Sequence, residues 1–162
     1  MQARFLQQQR AAMDRQIGRR LDPEMRQAIA LWDSIPGVDE DIATIMVAEM
    51  GIRSEQFADG AHAASWTAIC PGNHESAGKR KSGKMREGNR WLRGALTQAA
   101  WAATRTKGSY LSALYRRIAA RRGSKRAIVA VAHAILISAY YMWEEERGVP
   151  RTRGQFSRHT QT

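Results

Sequence analysis

The sequence predicts an all-α fold, on three observations. Apolar residues recur at helical spacing in most of the segments between residues 22 and 147. Helix start and stop signals flank these segments, as with Asp22-Pro23 at one start and Gly51 at one end. No alternation of strand period extends beyond a few residues, and the sequence has no internal repeat. A chain of 162 residues suits one compact domain with extensions, so we expect a compact helical domain.

The first two expected helices differ in character. Residues 2–20 form a polar helix with few apolar positions, too few to bury it on its own. This helix is therefore either the end of a longer helix or part of a coiled coil with a partner. The second helix, residues 22–34, begins with Asp22 as N-cap and Pro23 at its first position, an arrangement typical of helix starts.

The later helices follow after short breaks. A third helix, residues 39–50, carries three acids in its first turn, which suits the positive end of the helix dipole, and Gly51 ends it. Its expected apolar side consists of Ile42, Ile45, Met46 and Ala48. The remaining expected helices span residues 60–69, 88–106, 110–122 and 124–147. The polar tail that follows contains Pro150 and Gly154 and is expected to be disordered.

One segment raises the question of a membrane. Residues 127–143 contain no charged side chain and reach the lower length limit of a spanning helix. The same segment contains five alanines, a His and a Ser, and the neighbouring helices are amphipathic. We therefore expect a buried core helix and no membrane partner, with a span as the alternative.

Charge is strong and unevenly distributed. The net charge is +11, and residues 77–126 contain fifteen Lys and Arg against one acid, Glu87. Such a field favours nucleic acid, or less often an anionic membrane surface. The single cysteine, Cys70, excludes an internal disulfide and a multi-cysteine zinc site. With no apolar signal-peptide core at the N-terminus, these features predict a cytoplasmic location.

A Pro-Gly turn joins the second and third helices. The segment SIPGVDEDIATIMVAEMG, with Pro36 and Gly37 in its turn, has the form of a helix-hairpin-helix, in which backbone amides hold a DNA phosphate. The usual second glycine is replaced by Asp39, and two more acids follow. Because these carboxylates would repel a phosphate, a structural hairpin that packs the core is the alternative, and the one we favour.

The segment CPGNHESAGKRKSGKMREGNRWLRG, residues 70–94, allows two interpretations. It is either a basic spacer or a loop that holds a phosphate backbone. Ser76 has small neighbours and a following glycine, which permit close backbone approach, but an isolated serine hydroxyl is a weak nucleophile. Ser82 is a weaker candidate of the same kind. The cations that would neutralise phosphates here are Lys79, Arg80, Lys81, Lys84 and Arg86.

The helix after this loop carries further candidates. Arg90, Arg93 and Arg105 could bind phosphate or simply be solvated, and the charge of this region favours phosphate. We expect Trp91 and Trp101 to pack against other side chains, with base stacking as the alternative. The side chains Leu92, Leu96, Ala99 and Ala103 are expected to face the core.

Histidines and acids predict no metal site. His133 has no second ligand one helical turn further on and is expected to be a hydrogen-bonded core histidine. His62 and Cys70 likewise lack ligand spacing, and the acids form no constellation for two catalytic metals.

Four segments, in this order, carry a resemblance. They are IPGVDEDIATIMVAEMG, FADGAHAASWTAICPG, HESAGKRKSGKMREGNRWLRGAL and SKRAIVAVAHAILISAYYM. Together they resemble the C-terminal domain of DEDD-type insertion-sequence transposases of the IS-one-ten class, which are bridge-RNA-guided recombinases. The resemblance covers residues 34–142, about two-thirds of the chain.

The resemblance implies a serine recombinase mechanism. The family's Pro-x-x-x-x-Ser-small-Gly loop corresponds to Pro71–Gly78, so the matching nucleophile is Ser76, which would form a covalent phosphoserine link with DNA. The basic residues after it, with Asn89, Arg90 and Arg93, would position nucleic acid or offset developing charge. The implied partners are DNA, a guide RNA, and a second copy of the chain or a RuvC-like partner chain.

One departure from the family bears on activity. The family's RuvC-like domain, which holds Mg²⁺ with four acids, has no counterpart in this sequence, so we expect this chain to hold no metal and to be inactive alone. We expect residues 1–33 to end a coiled-coil-like connector, 34–147 to form the transposase C-terminal domain, and 148–162 to be a flexible tail. The alternative function is a non-catalytic helical module that binds DNA or RNA. A membrane-surface protein is a third, weaker interpretation.

Overall fold

The computed structural model describes residues 2–69, 74–76, 79–82 and 88–148, with the backbone alone for 74–76 and 79–82. Within these residues the fold is all-α, as predicted. The elements in chain order are α1 (Gln2–Arg20), α2 (Pro23–Asp33), α3 (Glu40–Met50), a 3₁₀ turn (Ser54–Gln56), α4 (Gly60–Thr67), β1 (His74–Ser76), β2 (Lys79–Ser82), α5 (Arg90–Arg105), α6 (Tyr110–Arg122) and α7 (Ser124–Glu146).

Aspartates define three of the helix starts. Asp22, Asp39 and Asp59 each accept a hydrogen bond from the backbone N–H three residues further on, at 2.7, 2.8 and 2.8 Å. Each bond satisfies an amide that the first turn of a helix leaves without a partner. The N-cap predicted at Asp22 is confirmed, and Asp39 caps α3 from outside the helix.

α7 lies at the centre of the domain and packs against α2, α4, α5 and α6. Two indoles anchor it, because Trp32 Nε1 donates to the carbonyl of Ala139 at 2.9 Å and Trp143 Nε1 donates to that of Ile52 at 2.6 Å. By length and composition α7 is one helix that could cross a membrane, yet half of its most apolar 18-residue window is buried inside the protein. The expected core helix at residues 127–143 is thus observed as such.

α5 and α3 supply the second layer of the core. Leu92, Leu96, Ala99 and Ala103 of α5 are fully buried, as predicted. On α3 the prediction of the apolar side is partly wrong, because Ile45 is 37% exposed and Ala48 is also exposed. The buried side chains of α3 are Ile42, Ala43, Met46, Val47 and Met50. Contacts with both α2 and α5 turn this face of α3 inward and leave Ile45 at its edge.

α1 lies outside the core, and none of its residues is buried. The guanidinium of Arg26 donates to the carbonyl of Gly18 at 2.8 Å, and Arg10 pairs with Asp41 of α3 at 2.9 Å. Phe5 and Leu6 remain 59% and 65% exposed. The coiled-coil connector expected for residues 1–33 stays a prediction, although α2, in the same range, packs into the core.

Candidate nucleic-acid interface

The described residues that flank the segment 70–87, Ile69 and Gly88, lie at one place in the domain. Gly88 lies against the end of α4: a Cβ built on it would be 2.6 Å from the Ala68 Cβ and 2.8 Å from the Thr67 carbonyl oxygen. Only a glycine allows this close approach without a shift of backbone. The neighbouring Ile69 is 1% exposed, so the segment departs from a fixed core position. The segment with the candidate serine is therefore anchored at both ends.

Asn89 reinforces this anchor. Its Oδ1 accepts from the backbone N–H groups of Trp91 and Leu92 at 3.1 and 2.9 Å, which caps α5. Its Nδ2 donates to the Glu49 carboxylate of α3. The sequence predicted Asn89 as a nucleic-acid contact. In the structure both ends of its amide have protein partners, and the predicted contact remains untested.

Ser76 lies in a short β-ribbon. β1 pairs with β2 antiparallel, with Ser76 opposite Lys79 and Glu75 opposite Arg80, and the register shifts between His74 and Glu75. This ribbon was not predicted, because strands of three and four residues show no readable period. Lys81 and Ser82 complete β2. The predicted residues Cys70, Pro71, Gly78, Lys84 and Arg86, and the tail from residue 149, lie outside the described residues.

A groove lies between α7 and α5, the helix that follows the candidate serine segment in the chain. Its lining consists of Arg90, Arg93, Gly94, Thr97 and Trp101 from α5 and of Lys125, Ile128 and Val129 from α7. The structure thus brings the predicted Arg90 and Arg93 together with Lys125, which the sequence did not single out. No local signal in the sequence identifies Lys125, because its place in the groove follows from the packing of α7 on α5.

The expected packing of the two tryptophans of α5 is observed only in part, because much of the surface of each stays exposed. Trp91 is 64% exposed and Trp101 is 46% exposed. The Arg90 guanidinium lies 4.8 Å from the Trp91 ring centroid, within the range of a cation–π contact. One side of Trp101 rests on Tyr115 of α6, with ring centroids 6.1 Å apart. The core-facing stripe of α5 passes between these two tryptophans and leaves both outside it.

The groove belongs to a layer without negative side chains. No Asp or Glu occurs between residues 88 and 143, a range that contains α5, α6 and most of α7. Exposed cations cluster where α6 meets α7, at Arg121, Arg122, Lys125 and Arg126. Because a concave surface of one charge sign concentrates oppositely charged ligands, this layer is suited to an anionic polymer.

The Pro-Gly hairpin packs into the core. Ile35 and Val38 are 5% and 6% exposed, and Gly37 has a φ of +88°. A Cβ on Gly37 would lie 2.2 Å from the Ala99 carbonyl oxygen of α5, so this turn is pressed against a helix. The carboxylate of Asp39 already accepts from the backbone N–H of Ile42, one of the free amides in the first turn of α3. These contacts support the structural interpretation of the hairpin at Pro36 and Gly37, and its phosphate-binding role is not confirmed.

The described residues contain no cluster of three or more His, Cys, Asp or Glu side chains that could hold a metal ion. His62 contacts one acid, Asp59 at the start of α4. The backbone N–H of His62, and to a smaller extent its ring, donate to the Asp59 carboxylate and lower the pKa of that carboxyl. His133 is half-buried on α7.

A family model described as "Transposase IS116/IS110/IS902 family" matches residues 29–116, more than half of the chain. No curated protein matches the chain. The matched range contains the hairpin, the Pro71–Gly78 segment and all of α5. The chain therefore belongs to the IS116/IS110/IS902 family of transposases.

Proposed function

We propose that this chain supplies the serine nucleophile and the basic nucleic-acid contacts of a DNA transposase. The observation that carries the proposal is the family match, which spans the Pro71–Gly78 segment and its candidate Ser76. The acid-free range of residues 88–143, which contains α5, α6 and most of α7, supports it, because a transposase must hold phosphate backbones close to the reacting group.

The proposed reaction begins at the Ser76 hydroxyl. Its Oγ attacks the phosphorus of a DNA phosphodiester and forms a new P–O bond, while the bond from phosphorus to one sugar oxygen breaks. The hydroxyl proton leaves Ser76, and the departing sugar oxygen takes up a proton. The resulting phosphoserine diester preserves the bond energy, so a hydroxyl of another strand can displace the serine and complete the exchange.

Cations beside the serine would favour this step. Lys79 lies opposite Ser76 in the ribbon register, and Arg80 lies opposite Glu75. Positive groups fixed around a phosphodiester stabilise the charge that develops on its oxygens during attack. Lys81, Lys84 and Arg86 extend the same run of cations along the sequence.

Metal ions and a guide RNA belong to the same proposal. The described residues bring together no ligand cluster that fits Mg²⁺. In this proposal the metal belongs to a four-acid, RuvC-like domain, and we derive no step through it. A guide RNA would select the DNA target, and without the RuvC-like domain we expect nucleic-acid binding but no strand joining.

A covalent-adduct experiment tests the serine. Wild type, Ser76→Ala and the control Ser82→Ala are mixed with labelled DNA, a RuvC-like transposase domain and Mg²⁺, and SDS-resistant protein–DNA species are measured on a gel. We expect adducts with wild type and Ser82→Ala, none with Ser76→Ala, and similar DNA binding by all three. Equal adducts from wild type and Ser76→Ala would refute the nucleophile. Binding without adducts from any variant would favour the non-catalytic module, which the basic groove also supports.

A further inference from the structure

We propose that the groove between α5 and α7 binds an unpaired nucleotide strand, with one base stacked on Trp101 and the strand's phosphates on Arg90 and Lys125. This inference rests on the proposed function in one respect, that the chain contacts nucleic acid. It adds the conformation of the bound strand and the surface that holds it.

Helical geometry places the groove residues in one line along α5. Arg90, Gly94, Thr97 and Trp101 are spaced by four, three and four residues, which is the repeat of one helix face. This face is neighbour to the buried stripe, and Ile128 and Val129 of α7 form the apolar floor beside it. The line thus runs from a cation at the start of α5 to an aromatic ring near its end.

Gly94 leaves the middle of this line open. It lies inside a helix, where glycine is less stable than alanine, and a Cβ built on it would meet nothing within 4 Å. No contact within the described protein therefore requires a glycine here. The missing side chain leaves space for a ligand to approach the backbone of α5.

Trp101 is held in position but is not covered. Its contact with Tyr115 restrains one side of the indole, while 46% of the residue remains exposed. Aromatic platforms of this kind bind single strands through base stacking, which tolerates any sequence because every base has a flat face. A restrained ring also loses little side-chain entropy when a base stacks on it.

The exposed face of the Trp101 indole favours a single strand over a duplex. In a duplex the faces of the bases are stacked on one another, and a protein meets only base edges and phosphates. A tryptophan face beside a basic, apolar-floored groove gains its full contact only from a base that is not stacked. Exposed Arg90 and Lys125 supply charge for phosphates on the two helices that form the groove.

The test compares two tryptophans of matched setting. Trp66 of α4 lies outside the groove, is 44% exposed and also rests on an aromatic ring, that of Phe57 at 5.6 Å. Fluorescent single-stranded and duplex oligonucleotides, each as DNA and as RNA, are titrated with wild type, Trp101→Ala, Trp101→Phe and Trp66→Ala. Circular dichroism and thermal melting establish that each variant is folded.

We expect Trp101→Ala to weaken single-strand binding roughly 5- to 150-fold, the range for loss of one stacked base. Trp101→Phe should retain most of the single-strand affinity. The duplex affinity of Trp101→Ala and the single-strand affinity of Trp66→Ala should each change less than about twofold. Single-strand affinity unchanged in Trp101→Ala, or an equal loss for duplex, would overturn the proposal. Tighter binding to the DNA or to the RNA strand identifies which of the two the groove takes.

Gly94→Ala provides a second test that separates binding from folding. Alanine should raise the melting temperature by about 2–4 °C, since it is the better helix former, while it weakens single-strand binding by filling the groove. Higher stability with unchanged affinity for all four oligonucleotides would contradict the inference. If adducts depend on Ser76 but single-strand affinity is unchanged by the groove variants, the groove inference alone is refuted. Trp101-dependent binding without adducts would refute the nucleophile alone.

Discussion

Asn89 joins the start of α5 to Glu49 of α3 through three hydrogen bonds of a single side chain. The two residues are 40 positions apart in the sequence. Their contact lies directly after Gly88, which packs on the end of α4. The end of the candidate nucleophile segment, at Gly88 and Asn89, is therefore a point that three helices hold in place.

Substitutions at Asn89 should separate the cap from the bridge. Asn89→Ala removes both and should lower the free energy of unfolding by about 1–3 kcal/mol. Asn89→Asp keeps the capping acceptor but sets a second carboxylate against Glu49, which the double variant Asn89→Asp/Glu49→Gln should relieve. Unfolding in urea measures the free energy of unfolding of all three variants. Equal stability of Asn89→Asp with and without Glu49→Gln would show that the contact with Glu49 has no energetic weight.

Gly37 and Gly108 form a matched pair for testing the hairpin. Both have positive φ, +88° and +76°, but a Cβ on Gly108 meets nothing within 4 Å. Gly108→Ala should therefore cost about 1–2 kcal/mol from backbone strain alone. Gly37→Ala adds a collision with the α5 backbone and should cost about 2–5 kcal/mol in total. Chemical denaturation checks the difference, and similar losses for both variants would contradict the tight packing of the hairpin on α5.

Tyr140 should make the free energy of unfolding depend on pH in the alkaline range. Burial, and secondarily the charge of Glu144, raises the pKa of Tyr140 to about 12, and its hydroxyl donates to the Phe57 carbonyl at 3.1 Å. The unfolded chain loses this proton near pH 10, so between pH 10 and 12 it binds fewer protons than the folded state. The free energy of unfolding should thus fall as pH rises through this window.

The control for this titration is Tyr140→Phe. Unfolding in urea is measured from pH 9 to pH 12 for both proteins, and the phenylalanine variant should lose less stability across the window. Parallel pH profiles for the two proteins would show that Tyr140 does not carry the effect.

Charge in the groove should appear in the salt dependence of binding. Affinity for a single-stranded oligonucleotide should fall steeply as salt rises, because bound phosphates release counterions. Arg90→Gln and Lys125→Gln should each reduce the slope of log affinity against log salt by about 0.7. Arg4→Gln, on the exposed α1, is the control and should leave the slope unchanged. A slope that responds equally to all three variants would indicate nonspecific attraction to the net charge.

Much of the fold could be predicted from the local sequence. The helices, the cap at Asp22 and the buried stripe of α5 could be read from periodicity and capping signals, because these depend on neighbours within a few residues. The β-ribbon was missed, since its strands are too short to show a period. The exposure of Ile45 and of one side of Trp101 could not be predicted, because it depends on which helices pack alongside these residues.

The sequence by itself determined the helical class, the strongly basic half with its single acid, Glu87, and the segments that resemble the transposase family, including the position of Ser76. Tertiary structure alone decided that Asn89 bridges to Glu49, that Trp32 of α2 bonds to α7, and that Lys125 joins Arg90 in one groove. The physical reason is separation along the chain. Trp32 and Ala139 lie 107 residues apart, and no local propensity encodes a contact that forms only when distant helices pack together.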